Sequence, residues 1–305
     1  MVITPAYNRE SLIEETIHSV LSQDYPNIEY MVLDDGSTDH TLQIIKKYQD
    51  KLRWVTQENQ GETRTVNRGF SMARGEIIGV VNSDDPLLPG AVSKLVEAML
   101  RDPEVMVVYP DWELIDETGR VVQTIRSYDF TTYADMVRMH FCLPGPGAFF
   151  RREVIEKTGG RDTAFRYVGD LEFWFRAGMY GPFKRLPEVL ATFRVHGGSA
   201  TASQRGFMMA EEHIALMEKY YSLPEIPESA RAVKNEAFSS AFFVAGASLN
   251  RGAFVEKIRY FSKAVRLCPH KYVSEYKRRI LMMCFLLAGI PGDRAYNFLI
   301  RFRRN

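Results

Sequence analysis

The chain has 305 residues, 46% hydrophobic and 25% charged, which suits a globular protein with one large α/β domain and an appendage. Its net charge of +1 argues against nucleic acid as a partner of the whole molecule, and Cys142, Cys268 and Cys284 show no paired or metal-ligand spacing, so no disulfide framework is expected. No basic segment followed by an apolar core opens the chain, so no signal peptide is expected, and the longest apolar run, Ile280 to Ile290, has 11 residues against the roughly 20 that cross a bilayer as a helix.

In chain order, Met1 to Asn8 reads as a strand running into a turn, so close to residue 1 that the strand reads as trimmed. Ser11 is expected to cap a helix whose Ile13, Ile17, Val20 and Leu21 share one face, with Glu14 completing a capping box and Pro26 as the stop. Ile28 to Leu33 is the second strand. It ends in Asp34-Asp35-Gly36-Ser37-Thr38-Asp39, a turn of small polar residues opening a helix that carries Leu42, Ile45 and Tyr48. Strand, helix and strand in this order make a right-handed βαβ unit. A short strand at Trp54 to Thr56, then Asn59-Gln60-Gly61 and a helix from Glu62 to Ala73 follow.

The apolar run Ile77 to Val81 reads as a short strand buried on both faces, and it stops abruptly in Asn82-Ser83-Asp84-Asp85-Pro86. Two carboxylates at the end of a core strand either hold a hard divalent cation or belong to a solvated turn in which Asp85 caps the helix beginning near Pro89. Polar clusters also end the first two strands. In a parallel sheet all three ends share one edge and converge on one crevice.

Taken in order, Thr4-Pro5-Ala6-Tyr7-Asn8-Arg9, then Leu33 to Asp39, then Asn59-Gln60-Gly61 with Asn67-Arg68-Gly69, then Asn82 to Asp85 resemble the family 2 glycosyltransferases over roughly residues 1 to 200. The resemblance implies the α/β GT-A fold, a sandwich with a mixed, mostly parallel sheet and flanking helices. Residues 1–203 would form it, with a donor half of about 1–110 and an acceptor half of about 111–203, and an α-helical region over 204–305 would follow. It also implies a nucleotide-diphosphate sugar as donor and Mn2+ or Mg2+ as cofactor. Asp85 would be the direct metal ligand, with Asp84 partnering the ribose, the metal or its water. Asp35 would accept from the base or ribose, Tyr7 would stack near the base, Pro5 would offer backbone groups, and Arg64 would meet the base or phosphates. Core packing for Tyr7 and a solvated helix face for Arg64 are the plainer alternatives. The family's acidic motif often reads Asp-x-Asp-Asp; here Asn82 stands first, and its amide oxygen still accepts.

Beyond Tyr109-Pro110-Asp111, Glu113 to Ile115 and Val121 to Ile125 flank Asp116-Glu117-Thr118-Gly119 as a hairpin. Leu143-Pro144-Gly145-Pro146-Gly147 is a constrained loop entering a strand, which the resemblance puts under the donor sugar and acceptor. Asp170 opens a helix bearing Leu171, Trp174 and Phe175, so its carboxylate projects from a helix start into a partly apolar setting. The resemblance makes it the base for the acceptor hydroxyl, while the plain alternative is an N-cap. Glu172, two residues on, points about 200° away. Val189 to His196 reads as a strand with Arg194 and His196 on one face, and the resemblance brings His196 to the metal or diphosphate; an ordinary hydrogen-bonded histidine is the alternative.

From Gln204 the chain reads as helical, and Phe243 to Pro269 resembles one tetratricopeptide unit. Residues 271–305 hold eight Lys and Arg against Glu275 and Asp293, a +6 tail on a −5 body. Basic residues there border apolar clusters, a pattern that fits either a helix in an anionic membrane interface or a tail packed on the preceding helices. The leading expectation is an inverting, metal-dependent, non-processive glycosyltransferase. It would use a UDP-sugar and a glycan or lipid-linked acceptor, in the cytoplasm or peripherally on the inner face of the cell membrane. No Gln-x-x-Arg-Trp run marks a processive synthase. A sugar nucleotidyltransferase, which usually shows a Gly-rich loop after the first strand, and a non-catalytic nucleotide-sugar-binding scaffold are the rivals.

Overall fold

A computed structural model of the chain describes residues 1–140, 144–196, 206–249 and 252–270. The chain divides into two compact units, Met1–Thr132 with Cys142–Ser199, and Tyr133–Phe141 with Ala200–Asn305.

The first unit is an α/β layer structure. Its strands are β1 (Val2–Ala6), β2 (Tyr30–Asp34), β3 (Arg53–Thr56), β4 (Ile77–Val80), β5 (Val107–Ile115), β6 (Val121–Ile125), β7 (Phe149–Arg151) and β8 (Phe183–Arg194). Its helices are α1 (Ile13–Leu21), α2 (Thr41–Lys46), α3 (Glu62–Ser71), α4 (Ala91–Arg101), α6 (Glu153–Thr158) and α7 (Gly169–Ala177), with α5 (Tyr133–Met139) falling in the other unit. The sheet runs β3-β2-β1-β4-β7-β5-β6, with β8 pairing β5. β3, β2, β1 and β4 are parallel, β7 runs antiparallel between β4 and β5, and β8 is parallel to β5. This is the mixed, mostly parallel sheet with flanking helices expected of the sequence.

Alternation along each strand separates two cores. Val2 and Val32 face Ile13, Ile17 and Val20 of α1 and Leu95 and Met99 of α4. Ile3, Met31 and Leu33 face Val66 and Phe70 of α3 and Phe173 and Trp174 of α7. A side chain in such a core contributes about 1.5–3 kcal/mol by leaving water, so the two faces together hold the sheet edge in place. β1 lies between β2 and β4, and the chain turns to opposite sides of it, so the ends of these three strands border one crevice.

Several local expectations shift. No side-chain cap holds α1: Leu12 stands at the N-cap, and the Arg9 carbonyl accepts from the N–H of Leu12 and Ile13, so Ser11 does not cap. α4 starts after Gly90 rather than under an Asp85 cap. β8 begins at Phe183, because pairing with β5 recruits residues whose own pattern is interrupted by Lys184, Arg185 and Pro187.

The second unit gathers α5 with α8 (Gly206–Tyr220), α9 (Glu228–Ala232), α10 (Lys234–Ser248) and α11 (Phe254–Leu267). α10 packs along both α8 and α11. Small side chains allow this closeness: Ala210 and Ala245 are fully buried, and a Cβ at Gly246 would stand 2.7 Å from the Phe261 ring. Tyr133 and Tyr220 hydroxyls meet at 2.7 Å, and His140 Nε2 lies 2.9 Å from His213 Nδ1, tying α5 to α8. The basic tail lies outside the described residues. Among the described residues no helix is long and apolar enough to cross a membrane.

Candidate functional site

The carboxyl edge of the sheet is knitted together by its own polar turns. Asn8 takes a left-handed conformation, φ 52°, which asparagine tolerates better than most residues. In that pose its Oδ1 accepts from the N–H of Thr38 at 2.8 Å, and its own N–H donates to Ser37 Oγ at 3.0 Å. The N–H of Arg9 donates to Thr41 Oγ1 at 2.7 Å. The turns after β1 and β2 are therefore one body.

Asp34 and Asp35 divide the work after β2. Buried Asp34 accepts from Thr56 Oγ1 at 2.6 Å and from the N–H of Ser37 at 3.2 Å. Asp35, 3% exposed, accepts from Gln57 Nε2 at 2.8 Å and from the N–H groups of Gln60 and Gly61 at 2.9 and 2.8 Å. Gly36 admits this packing: its φ is 73°, and a Cβ there would stand 2.8 Å from the Asn59 nitrogen. Asp35 thus anchors the start of α3 and points toward the loop that leads into it.

From α3 the linkage continues to the segment before α7. Thr63 Oγ1 donates to the Phe165 carbonyl at 3.0 Å and sits against Gly169, the first residue of α7. Asn67 clasps the backbone of Arg161, donating to its carbonyl at 2.7 Å and accepting from its N–H at 2.8 Å. Asp170 is the second residue of α7, half-buried, with Oδ1 2.8 Å from the N–H of Leu171; Val168, not Asp170, holds the N-cap position. The positive end of the helix favours a carboxylate there. Glu172 is turned away and buried. It pairs with Arg176 at 2.5 Å and accepts from the N–H of Asp162 at 3.1 Å.

After β4 the two adjacent acids have different surroundings. Asp85 is 4% exposed; its Oδ1 accepts from the N–H of Arg194 at 2.8 Å and its Oδ2 from Asn82 Nδ2 at 3.0 Å. Burial, and then the neighbouring Asp84 charge, push its carboxyl up to about 8. Asp84 Oδ2 instead lies 2.9 Å from His196 Nε2 and 3.3 Å from Arg9 Nε. Arg194, 2% exposed, joins three elements: Nε donates to the Asp84 carbonyl at 3.1 Å, Nη1 to the Asp116 and Glu117 carbonyls, and Nη2 to Glu15 at 2.6 Å.

Among the described residues no group of three or more His, Cys, Asp and Glu side chains is arranged to hold a metal ion. Two protein ligands suffice where substrate phosphates and water complete the shell. Asp84 Oδ2 and His196 Nε2 are hydrogen-bonded to each other at 2.9 Å, and a carboxylate with an imidazole is a donor set whose chemistry suits Mn2+. Asp85 has both oxygens committed to Arg194 and Asn82.

The structure therefore brings together Asp84, Asp85 and His196, and links Asp35 through α3 to the helix of Asp170. Tyr7, one residue past β1, is 44% exposed at the crevice, while Pro5 is buried inside β1 opposite Leu33. Arg64 stands exposed on α3, with no hydrogen bond or ion pair to these groups among the described residues. Arg9, Asn8 and Asn67 stand in the sequence motifs and Arg194 shares a strand face with His196, but the sequence assigns none of the four a role. The positive φ of Asn8 has a sequence signal, an asparagine just past a strand; contacts such as Arg194 to Asp85, 109 residues apart, have none.

Residues 1–159 match the profile described as glycosyl transferase family 2. An uncharacterized glycosyltransferase of Nostoc sp. is 30% identical over 237 residues, 70% of this chain and 73% of that protein. Across the first relatives the match spans 65–73% of their length. Among solved structures, S. aureus TarS 1-349 in complex with UDP-GlcNAc superposes with a TM-score of 0.67 at 19% identity, covering 99% of this chain and 91% of that one. Mannosyltransferase PcManGT from Pyrobaculum calidifontis, in complex with GDP-Man and Mn2+, gives 0.63 at 19% identity, covering 94% and 84%. Both share the fold.

Proposed function

The chain belongs to glycosyl transferase family 2 and is a glycosyltransferase, and on that premise we propose that it moves one sugar from a nucleotide-diphosphate donor to a hydroxyl acceptor, with inversion and with a divalent metal. The observation that carries the reading is the contact of Asp84 with His196 at the carboxyl edge of β4, beside the turn that bears Tyr7. Neighbours of the same fold bind UDP-GlcNAc and GDP-Man, so a UDP-sugar is the first donor to try and a GDP-sugar the second.

Tyr7 offers an exposed ring to the base, and the loop that Asp35 anchors, residues 57–61, borders the nucleoside. Asp84 and His196 are the protein's metal ligands in this reading, and Asp85 supports them from behind by fixing Arg194 and Asn82. When bound, Mn2+ or Mg2+ stabilises the charge that collects on the departing diphosphate. Asp170 accepts the proton of the acceptor hydroxyl as that oxygen bonds to the anomeric carbon and the carbon–phosphate-oxygen bond breaks from the opposite side. One displacement inverts the centre. The acceptor is a glycan or a lipid-linked sugar, and the basic tail is the part that would meet an anionic membrane surface.

The test is calorimetry of UDP binding with Mn2+ in wild type, Asp84→Ala and Asp85→Asn. Asp84→Ala removes the metal-dependent part of the affinity, whereas Asp85→Asn, which keeps an acceptor oxygen for Arg194, retains most of it. Full metal-dependent affinity in Asp84→Ala refutes the ligand assignment.

A further inference from the structure

We propose that Arg9 is an internal counter-cation that occupies Asp84 until metal and nucleoside diphosphate arrive together, so that metal binding is conditional on the diphosphate. This rests on the two-ligand reading of Asp84 and His196. The same Asp84 oxygen meets His196 Nε2 at 2.9 Å and Arg9 Nε at 3.3 Å, so one of the two groups beside the ligand atom is permanently positive.

The position of Arg9 is built by the loop. Its Nη1 donates to the carbonyls of Tyr7 and Asn8 at 3.4 and 3.1 Å, and its N–H is held by Thr41. The left-handed turn at Asn8, pinned by Ser37 and Thr38, fixes where the side chain departs. The pair is largely out of water, with side-chain exposures of 24% for Arg9 and 15% for Asp84. Tyr7, beside it in the chain, is the exposed ring at the crevice.

A divalent ion arriving alone meets a guanidinium a few ångströms from its ligand and must displace it into water. An ion arriving with a diphosphate brings the anion that guanidinium recognises best, since its fork of N–H donors matches phosphate oxygens. Arg9 then exchanges one oxyanion for another, and repulsion becomes attraction. Metal and diphosphate become mutually dependent ligands, each strengthening the other by the same factor.

The experiment titrates MnCl2 into the full chain by calorimetry, without nucleotide and with saturating UDP, repeated with GDP. It compares wild type, Arg9→Gln and Arg9→Lys, with thermal midpoints recorded for each. In Arg9→Gln, Mn2+ alone binds about tenfold tighter, a conservative figure for removing one like charge near a divalent ion. The enhancement that nucleotide gives to Mn2+ shrinks by a similar factor. Arg9→Lys keeps the charge and behaves like wild type toward Mn2+ alone. Equal or weaker Mn2+ binding by Arg9→Gln, with the nucleotide enhancement intact, overturns the proposal while leaving the metal reading standing. Absence of Mn2+ binding in every protein, with and without either nucleotide, overturns both.

Discussion

Asp170 and Glu172 lie two residues apart, yet the helix sends them to different tasks. Glu172 is consumed by Arg176 and the backbone of Asp162, whereas Asp170 stays half-buried in the first turn of α7, next to the contact of Thr63 with Gly169. Asp170→Asn should therefore keep donor affinity near wild type while turnover falls by about 10² to 10⁴, the usual range for a positioned base. Parallel losses in affinity and turnover would mean that Asp170 holds structure rather than a proton. NMR of fresh product should show the anomeric configuration opposite to the donor's; retention would refute a single displacement. At this scale the sequence exposes residue types and motif order, which is how Asp84, His196 and Asp170 could be named. It does not expose which of two adjacent acids is buried. That depends on where Arg194 arrives, and only the folded β8 decides it.

Elements were legible where periodicity was strong. The runs of β1, β2 and β4 and the apolar faces of α1 and α3 lie close to their expected positions, because two-sided burial leaves a continuous apolar signature. The start of β8 was not, since Lys184, Arg185 and Pro187 break its apolar pattern and it becomes strand by pairing with β5. Nor was the clasp of Asn67 on Arg161, which couples α3 to the segment before α7 across 94 residues. Asn67→Ala leaves a buried backbone donor and acceptor without partners. It should lower stability by about 1–3 kcal/mol, read as a fall in the denaturant midpoint, and speed amide exchange in residues 158–165 before the rest of the first unit. Uniform exchange across the unit would show that α3 and α7 are held by their apolar contacts alone.

For the whole molecule, the charge contrast between body and tail yields a separate outcome. The full chain should float with anionic liposomes at low salt and be released as salt rises, while a chain ending at Pro269 should stay in the soluble fraction. If neither floats, the arginines after residue 277 are not a membrane signal. A different consequence follows from Arg194, whose backbone and guanidinium reach Asp85, Asp84, Glu15 and the turn at residues 116–117. The acids are synthesised early and their organiser late, 109 residues after Asp85. At about 5–20 residues per second, translation leaves an interval of roughly 5–20 s between the delivery of Asp84 and Asp85 and that of Arg194. A chain that stops short of residue 194 therefore carries both acids without the arginine whose backbone and guanidinium fix them.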